Sequence, residues 1–450
     1  MAKFLSIQGT SSDSGKSFLT MALCRIFADE GYKVAPFKAQ NMSSNTDIVD
    51  GLEMARAQSI QAMAARTKPD VRMNPILLKP MGNYISKVVL LGREYATMHA
   101  KEYYNNFLSH AFNHVLDAIK ELEDRYEIII IEGAGSAIEI NLREEDIANM
   151  KLAKKVNASV IITADIDRGG AFASMLGTLA LLDEEERSLV KGFIINRFRG
   201  DIDILKPAIN QFEELSKKDI LGVIPYINDI KIAEEDTLSL KDRIKDNRLT
   251  AIVIKYPNTS SLREIEPLIN NTNIIYANRV INLEEADIII LPPTRDLRTD
   301  LRWLKDNGFA DGIRYANKLG KKIIGIREGY LMLLDDIEGI EGLRLLNGKF
   351  RRRKVINDYM FVNGEKCFID DEFIIDSNEE RLVAEDITIG LISKDKRVIG
   401  YNANNAIRSI VKMIQDISIE DMLDEEIDRI ARIVKDSIRM DKLKKYMGLD

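Results

Sequence analysis

The sequence predicts an α/β protein built on parallel sheets, and three features carry that expectation. Short runs rich in Ile and Val recur at Phe4 to Gln8, Lys33 to Lys38, Ile128 to Glu132, Val160 to Asp165, Gly192 to Asn196 and Leu221 to Pro225. Long amphipathic stretches separate most of them, the pattern of strands buried on both faces by crossover helices. The first run empties into a Gly- and Ser-rich stretch followed by helix formers from Phe18 to Ala28, and a second series of strand-like runs begins after a polar interval.

Taken in chain order, the elements imply a first domain over residues 1–228 and a linker over 229–248, where Glu234, Glu235 and Asp236 sit among few periodic apolar residues. The second series is Ala251 to Lys255, Asn273 to Tyr276, Asp287 to Leu291 and Lys322 to Ile326, with a helical spacer at Asp300 to Lys305. From Phe350 to Asn402 the runs are short and lack intervening helices, which predicts antiparallel strands added to that second sheet. The second domain is therefore expected over 249–412. Residues 413–450 read as a docking helix, with Ser418 and Asp421 as its start signal and Ile427, Ile430 and Val434 on one face.

Composition narrows the function. The 450 residues include 64 Lys plus Arg against 71 Asp plus Glu, a formal charge of −7, so the basic excess of a duplex binder is missing and no nucleic-acid partner is expected. Runs such as Ile128 to Ile131 and Ile288 to Leu291 fall far short of the ~20 residues of a bilayer span. Phe4 to Ile7 gives way at once to polar residues, unlike a signal peptide. With Cys24 and Cys367 the only cysteines, no disulfide framework is possible, and a reducing cytoplasmic setting is expected.

The chemistry begins at Gly9, Thr10, Ser11, Ser12, Asp13, Ser14, Gly15, Lys16 and Ser17. A strand, a Gly-rich loop and a helix in this order offer backbone N–H groups to a polyphosphate, with Lys16 reaching the terminal phosphates and Ser17 ligating Mg²⁺. The loop is a variant, because Thr10 stands where the usual pattern has glycine and Gly9 precedes it. Glu132 closes an all-apolar strand ahead of Gly133-Ala134-Gly135, the expected place for a second metal-oriented carboxylate. Asp165 to Gly170 ends the next strand. Its Asp165 and Arg168 either face the reacting phosphate or form a structural strand-to-helix turn. Asn196 ends another strand and can read a purine edge with its amide. The stretch from Glu53 through Arg56 and Gln58 to Gln61 is polar beyond structural need and suits an acidic substrate. His110 and His114 are spaced to share a helix face, but without a third ligand they read as surface or packing residues rather than a zinc site. Arg351 to Lys354 reads as a solvated basic run with no assigned role.

With these residues in view, the first half resembles the cobyric acid synthase family, corrinoid-amidating members of the dethiobiotin-synthetase-like P-loop group. The resemblance rests on Gln8-Gly-Thr-Ser-Ser-Asp-Ser-Gly-Lys-Ser17, Ala35-Pro-Phe-Lys-Ala-Gln-Asn-Met-Ser43, Glu53-Met-Ala-Arg-Ala-Gln58, Asn74-Pro-Ile-Leu-Leu-Lys-Pro80, Glu132-Gly-Ala-Gly-Ser136, Glu139-Ile-Asn-Leu-Arg143, Asp146-Ile-Ala-Asn149, Ala164-Asp-Ile-Asp-Arg-Gly-Gly170 and Gly192 to Gly200. It implies successive ATP- and Mg²⁺-dependent amidation of the b, d, e and g carboxylates of adenosylcobyrinic acid a,c-diamide in cobalamin biosynthesis. On this reading Lys16, Glu132 and Asp165 are catalytic, Asn196 meets adenine, and Asn41, Glu53, Arg56, Gln58 and Arg168 line the substrate.

The second half is similar to the family's class I glutamine amidotransferase-like domain but departs where hydrolysis would occur. The nucleophile-elbow motif reads Gly325-Ile326-Arg327-Glu328-Gly329-Tyr330, with Arg327 in place of the cysteine. The oxyanion loop reads Pro292-Pro293-Thr294-Arg295, and Pro293 has no N–H to offer. No histidine follows His114, and Asn404 stands near the position of the family's base. Cys367 lies outside the elbow, with no histidine in its domain to activate it. The expected nitrogen source is accordingly free ammonia or ammonia from a separate glutaminase.

Overall fold

The computed structural model describes residues 2–449 except 44, 83, 141–142, 144–145, 228–229, 231–248, 261, 269–271, 280–282, 363–364, 385, 405, 408 and 412–422. The interval read as a linker, save Ile230, and the Ser418 start signal therefore lie outside the described residues. The chain forms two compact units, Met1–Ile230 with Leu423–Asp450, and Lys231–Met422.

The strands of the first unit are β1 (Lys3–Gly9), β2 (Val34–Phe37), β3 (Gln40–Met42), β4 (Thr46–Val49), β5 (Leu52–Ala55), β6 (Ile76–Gly82), β7 (Ile85–Leu90), β8 (Arg93–His99), β9 (Ile128–Glu132), β10 (Ser159–Asp165), β11 (Val190–Phe198) and β12 (Asp219–Pro225). Six of them make a parallel sheet in the order β12-β11-β10-β1-β9-β2. Every residue of β9 and β10 is buried, which is why residues 128–131 and 160–162 are apolar without alternation. The register pairs Ile7 with Glu132, Gly9 with Thr163 and Asp165 with Asn196, so the phosphate loop and both acidic strand ends share the carboxyl edge.

Two features were not expected. Strands β3, β6, β7 and β8 form a separate four-stranded sheet, and β4–β5 a hairpin, all inserted after β2. The tail makes two helices, Leu423–Ser437 and Met440–Met447, that belong to the first unit. The first of these faces the phosphate-loop helix Lys16–Asp29, whose fully buried Arg25 pairs with Asp424 and with Asp428 at 3.1 Å.

The second unit holds β13 (Leu249–Ile254), β14 (Thr272–Ala277), β15 (Ile288–Leu291), β16 (Lys322–Ile326), β17 (Asp336–Ile337), β18 (Ile340–Glu341), β19 (Lys349–Val362), β20 (Glu365–Asp376), β21 (Glu380–Ala384), β22 (Ile387–Ile392) and β23 (Val398–Tyr401). Its seven-stranded sheet runs β14-β13-β15-β16-β23-β22-β21, parallel up to β23 and antiparallel beyond. Only β21 to β23 extend this sheet, β22 and β21 antiparallel as expected but β23 parallel to β16. The 14-residue β19 and 12-residue β20 pair with each other and, through β17 and β18, form their own sheet.

Candidate active site at the phosphate loop

Strand β1 delivers Gly9 into a loop that closes on the helix beginning at Lys16. The turn needs left-handed backbone at Asp13, with φ of 57°, and at Gly15, with φ of 99°. A Cβ at Gly15 would lie 1.9 Å from Asn196 Nδ2, and one at Gly9 would lie 2.3 Å from Ser14 Oγ, so both positions exclude any side chain. Thr10 N–H donates to Thr163 O at 3.0 Å, while Asn196 Nδ2 and Thr163 Oγ1 donate to Ser14 O at 3.1 and 3.3 Å. Lys16 Nζ spans the loop, donating to Ser11 O at 2.9 Å and Gly135 O at 2.7 Å. Ser14 Oγ is buried without a hydrogen-bond partner among the described residues. A cradle of this shape, with an orphaned hydroxyl and a lysine across its mouth, fits a polyphosphate.

Glu132 is fully buried at the end of β9. Its Oε1 accepts from Ser17 Oγ at 2.7 Å and Lys38 Nζ at 2.8 Å, and its Oε2 from Gln61 Nε2 at 2.5 Å and Gln58 Nε2 at 3.3 Å. Burial alone would push this carboxyl up, but the Lys38 ammonium and the Ser17 and Gln61 hydrogen bonds hold it below the usual carboxylate range. The pairing of Ser17 with a charged carboxylate is a donor set that suits Mg²⁺. Asn41 extends the chain of contacts, its Nδ2 donating to Gln58 Oε1 at 2.9 Å.

From sequence, Lys38 and Asn149 appeared only inside quoted motifs without a role, and Gln61 only as the end of the polar stretch from Glu53. Lys38 follows β2 at the same sheet edge as Glu132, and that placement was the available signal. Asn149 clamps the turn after Glu132, accepting from Ala134 N–H at 2.8 Å and donating to Ala134 O at 2.9 Å.

Other expected residues are engaged differently. Asp165, read as catalytic, accepts from Arg197 Nη1 at 2.9 Å and from Asp167 N–H at 2.9 Å, with Arg168 Nε at 3.5 Å. Its carboxylate anchors the turn, which favours the structural alternative. Arg168 also reaches Asp13 at 3.4 Å and so ties this turn to the phosphate loop. Asn196, read as an adenine contact, holds the loop through Ser14, and its Oδ1 accepts from Arg197 N–H at 2.9 Å. Arg56 pairs with Asp47 at 2.8 Å, while Glu53 pairs with Lys79 and accepts from Thr46 Oγ1 at 2.7 Å, so both brace the β4–β5 hairpin. His110 and His114 face each other on the helix Leu108–Glu123 with Nε2 atoms 3.2 Å apart, and no metal-holding cluster of three or more ligand-type side chains occurs among the described residues.

In the second unit the backbone bends sharply at the motif read from sequence as a nucleophile elbow. Arg327 keeps φ of 53° and ψ of −113° at the start of the helix Glu328–Met332, an unfavourable backbone for a residue with a Cβ. The bend is held from below, since a Cβ on Gly329 would lie 2.1 Å from Leu291 O. Arg327 Nη1 donates to Asn404 Oδ1 at 3.3 Å, so the side chains expected from sequence near the nucleophile and base positions contact each other. Glu328 pairs with Arg353 at 3.0 Å. Pro293 O accepts from Ser260 N–H at 3.0 Å, and Cys367 is fully buried in an apolar cluster with Ile369 and Tyr401.

A nucleotide-binding α/β unit joined to an amidotransferase-like unit is the class of protein these features define. The family model for the CobQ/CobB/MinD/ParA nucleotide binding domain matches residues 5–240, and that for the CobB/CobQ-like glutamine amidotransferase domain matches residues 250–369. The chain is 38% identical to a probable cobyric acid synthase of Thermococcus kodakarensis across all of both chains. It is 37% identical to a cobyric acid synthase of Caldanaerobacter subterraneus over 99% of each chain. A probable cobyric acid synthase of Methanothermobacter thermautotrophicus is 45% identical over 77% of this chain and 71% of that one. The chain belongs to the cobyric acid synthase family. No helix among the described residues is long and apolar enough to cross a membrane.

Proposed function

We propose that the first unit amidates peripheral carboxylates of a corrinoid, those at b, d, e and g of adenosylcobyrinic acid a,c-diamide, using ATP and ammonia. The observation that carries this reading is the assembly of buried Lys16, Lys38 and Glu132 with half-buried Ser17 at the end of the Gly-rich loop. A corrinoid carboxylate oxygen attacks the γ-phosphorus, the bond to the bridging oxygen breaks, and ADP leaves. Ammonia then attacks the acyl phosphate carbon, the carbon–oxygen bond to phosphate breaks, and the surplus proton departs with the phosphate. No protein nucleophile takes part.

The residues divide the work. Lys16 leaves its two carbonyl partners to meet the charge that grows on the transferring phosphoryl group. Ser17 and Glu132 would hold Mg²⁺, which when bound neutralises phosphate charge. Lys38 keeps the buried Glu132 ionised beside the hydrogen bonds from Ser17, Gln58 and Gln61. Asn149 and Asn196 fix the two backbone turns that frame the cradle.

The nitrogen source follows from the second unit. Arg327 in place of a thiol, Pro293 in the oxyanion loop and Asn404 in place of a base support a glutaminase-like scaffold without glutamine hydrolysis. The test is amidation of the a,c-diamide by purified protein with MgATP and ammonium, read by product mass. Lys16→Ala should abolish it with the fold intact by circular dichroism. Full activity in a folded Lys16→Ala protein would contradict the phosphate-site assignment.

A further inference from the structure

Two glutamines in the helix Arg56–Ala64 are buried for a reason that packing does not supply. Gln58 is 0% exposed and Gln61 1%, and at a spacing of three residues they share one face of that helix. A buried primary amide costs free energy unless its polar atoms are matched, so leucine or methionine would serve a purely structural face better. Both amides donate instead to one atom, Glu132 Oε2, Gln61 Nε2 from 2.5 Å and Gln58 Nε2 from 3.3 Å. Gln61 Nε2 also lies 3.4 Å from the backbone oxygen of Ser17, whose hydroxyl meets the other Glu132 oxygen. Asn41 settles which end of Gln58 faces the carboxylate, because its Nδ2 donates to Gln58 Oε1 at 2.9 Å and leaves the amino group for Glu132.

The result is a carboxylate whose two oxygens have different duties. Oε1 accepts from Ser17 and Lys38 at 2.7 and 2.8 Å, while Oε2 accepts from the two amides. The last torsion of a glutamate is soft and roughly twofold, so the side chain by itself does not fix how the carboxylate is turned. The hydrogen bonds fix it. With Oε2 held by the helix Arg56–Ala64, the group cannot swing both oxygens toward Ser17. That restriction matters for a divalent ion. Ca²⁺ accepts a carboxylate through one oxygen or two in flexible geometry, whereas the strict octahedron of Mg²⁺ does not suit the narrow two-oxygen bite.

We propose that Gln58 and Gln61 are positioning residues that select the ion: by holding Glu132 Oε2 they leave one carboxylate oxygen on the Ser17 side, which suits Mg²⁺ and denies Ca²⁺ its two-oxygen grip. This rests on the reading of Ser17 and Glu132 as the residues that hold Mg²⁺.

The test uses the full chain. Binding of a fluorescent ATP analogue is titrated with magnesium chloride and, separately, with calcium chloride, and the ratio of the half-saturating calcium to magnesium concentrations is compared between variants. Gln61→Met removes the shorter bond and keeps side-chain length and packing. The ratio should fall about fivefold, the worth of one hydrogen bond. Gln58→Met, which loses the 3.3 Å bond, should lower it less, and the two changes together should lower it most. A role confined to stability would weaken binding with both ions alike and leave the ratio where it was. An unchanged or increased ratio in the folded variants would therefore overturn the proposal while leaving the metal site at Ser17 and Glu132 standing. If circular dichroism shows Gln61→Met unfolded, Gln58→Met carries the same comparison. Nucleotide binding by the wild-type chain that needs no divalent ion would overturn the metal reading and this proposal together.

Discussion

Lys38 and Glu132 illustrate how one pair sets the state of the site. A carboxylate with no exposed surface is stable only if its charge is matched, and here the ammonium at 2.8 Å does so. Lys38→Met strands that charge and should cost about 3–5 kcal/mol in urea unfolding, the usual penalty for breaking a buried pair. Adding Glu132→Gln to that variant should recover much of the loss, and strict additivity of the two changes would mean the pair is not coupled. Because Glu132 is held below the usual carboxylate range, its stabilisation is complete above that range and is lost on acidification through the lowered value. Glu132→Gln alone keeps the side-chain shape among its four hydrogen-bonding neighbours but removes the charge aimed at Ser17. The Mg²⁺ concentration at half-maximal nucleotide binding should rise severalfold, and an unchanged titration would make Glu132 structural.

At the scale of elements, the turn before β6 positions Lys38. Asp70 accepts from Arg72 N–H at 3.0 Å and from the Arg72 and Arg125 guanidinium groups. The turn it starts supplies Met73 O to Lys38 N–H at 2.8 Å and Asn74 Nδ2 to Lys38 O at 3.1 Å. Burial works against the Asp70 charge, but the Arg72 and Arg125 hydrogen bonds hold the carboxyl down at about 2. That stabilisation is intact above the ordinary value of 3.8 and is lost as pH falls toward about 2. Asp70→Asn should therefore cost about 1 kcal/mol at neutral pH and nothing near pH 2. Equal loss at both pH values would remove the ion pairs from the account.

The same elements show what sequence conveys. Strands β1, β9, β10 and β11 were legible because strands buried on both faces are dense in apolar residues, and the loop was legible because strand, glycines and lysine occur in order. The inserted sheet was not, since β3 has only three residues and β6 contains Pro80, so no alternation announces them. Lys38 was missed because its role comes from β2 lying beside β9, a pairing made across some ninety residues of chain. Arg56 and Asp165 have structural partners that the sequence did not announce, for a related reason. Their charges suited a ligand, but each finds its partner in a neighbouring turn or strand that periodicity does not reveal.

At the scale of the whole chain, the first unit is closed by residues that follow the second unit in sequence. Arg25 is fully buried in the phosphate-loop helix, and Asp424 and Asp428 supply its counter-charges. Deleting 423–450 should leave that guanidinium unmatched and lower the melting midpoint of nucleotide binding by several degrees, whereas an unchanged midpoint would mean the tail is dispensable. The second unit keeps an elbow shape with Arg327 on it, so Arg327→Cys by itself should give no glutaminase activity above background, because Pro293 and Asn404 still deny it an oxyanion donor and a base. Whether the corrinoid amides take their nitrogen from free ammonia is read directly by isotope. Purified protein, MgATP and adenosylcobyrinic acid a,c-diamide are incubated with heavy-nitrogen ammonium plus ordinary glutamine, and in parallel with the labels exchanged, after removal of contaminating glutaminases. The account predicts that the product's new amides carry the ammonium nitrogen in both arms, and amides carrying glutamine nitrogen would contradict it.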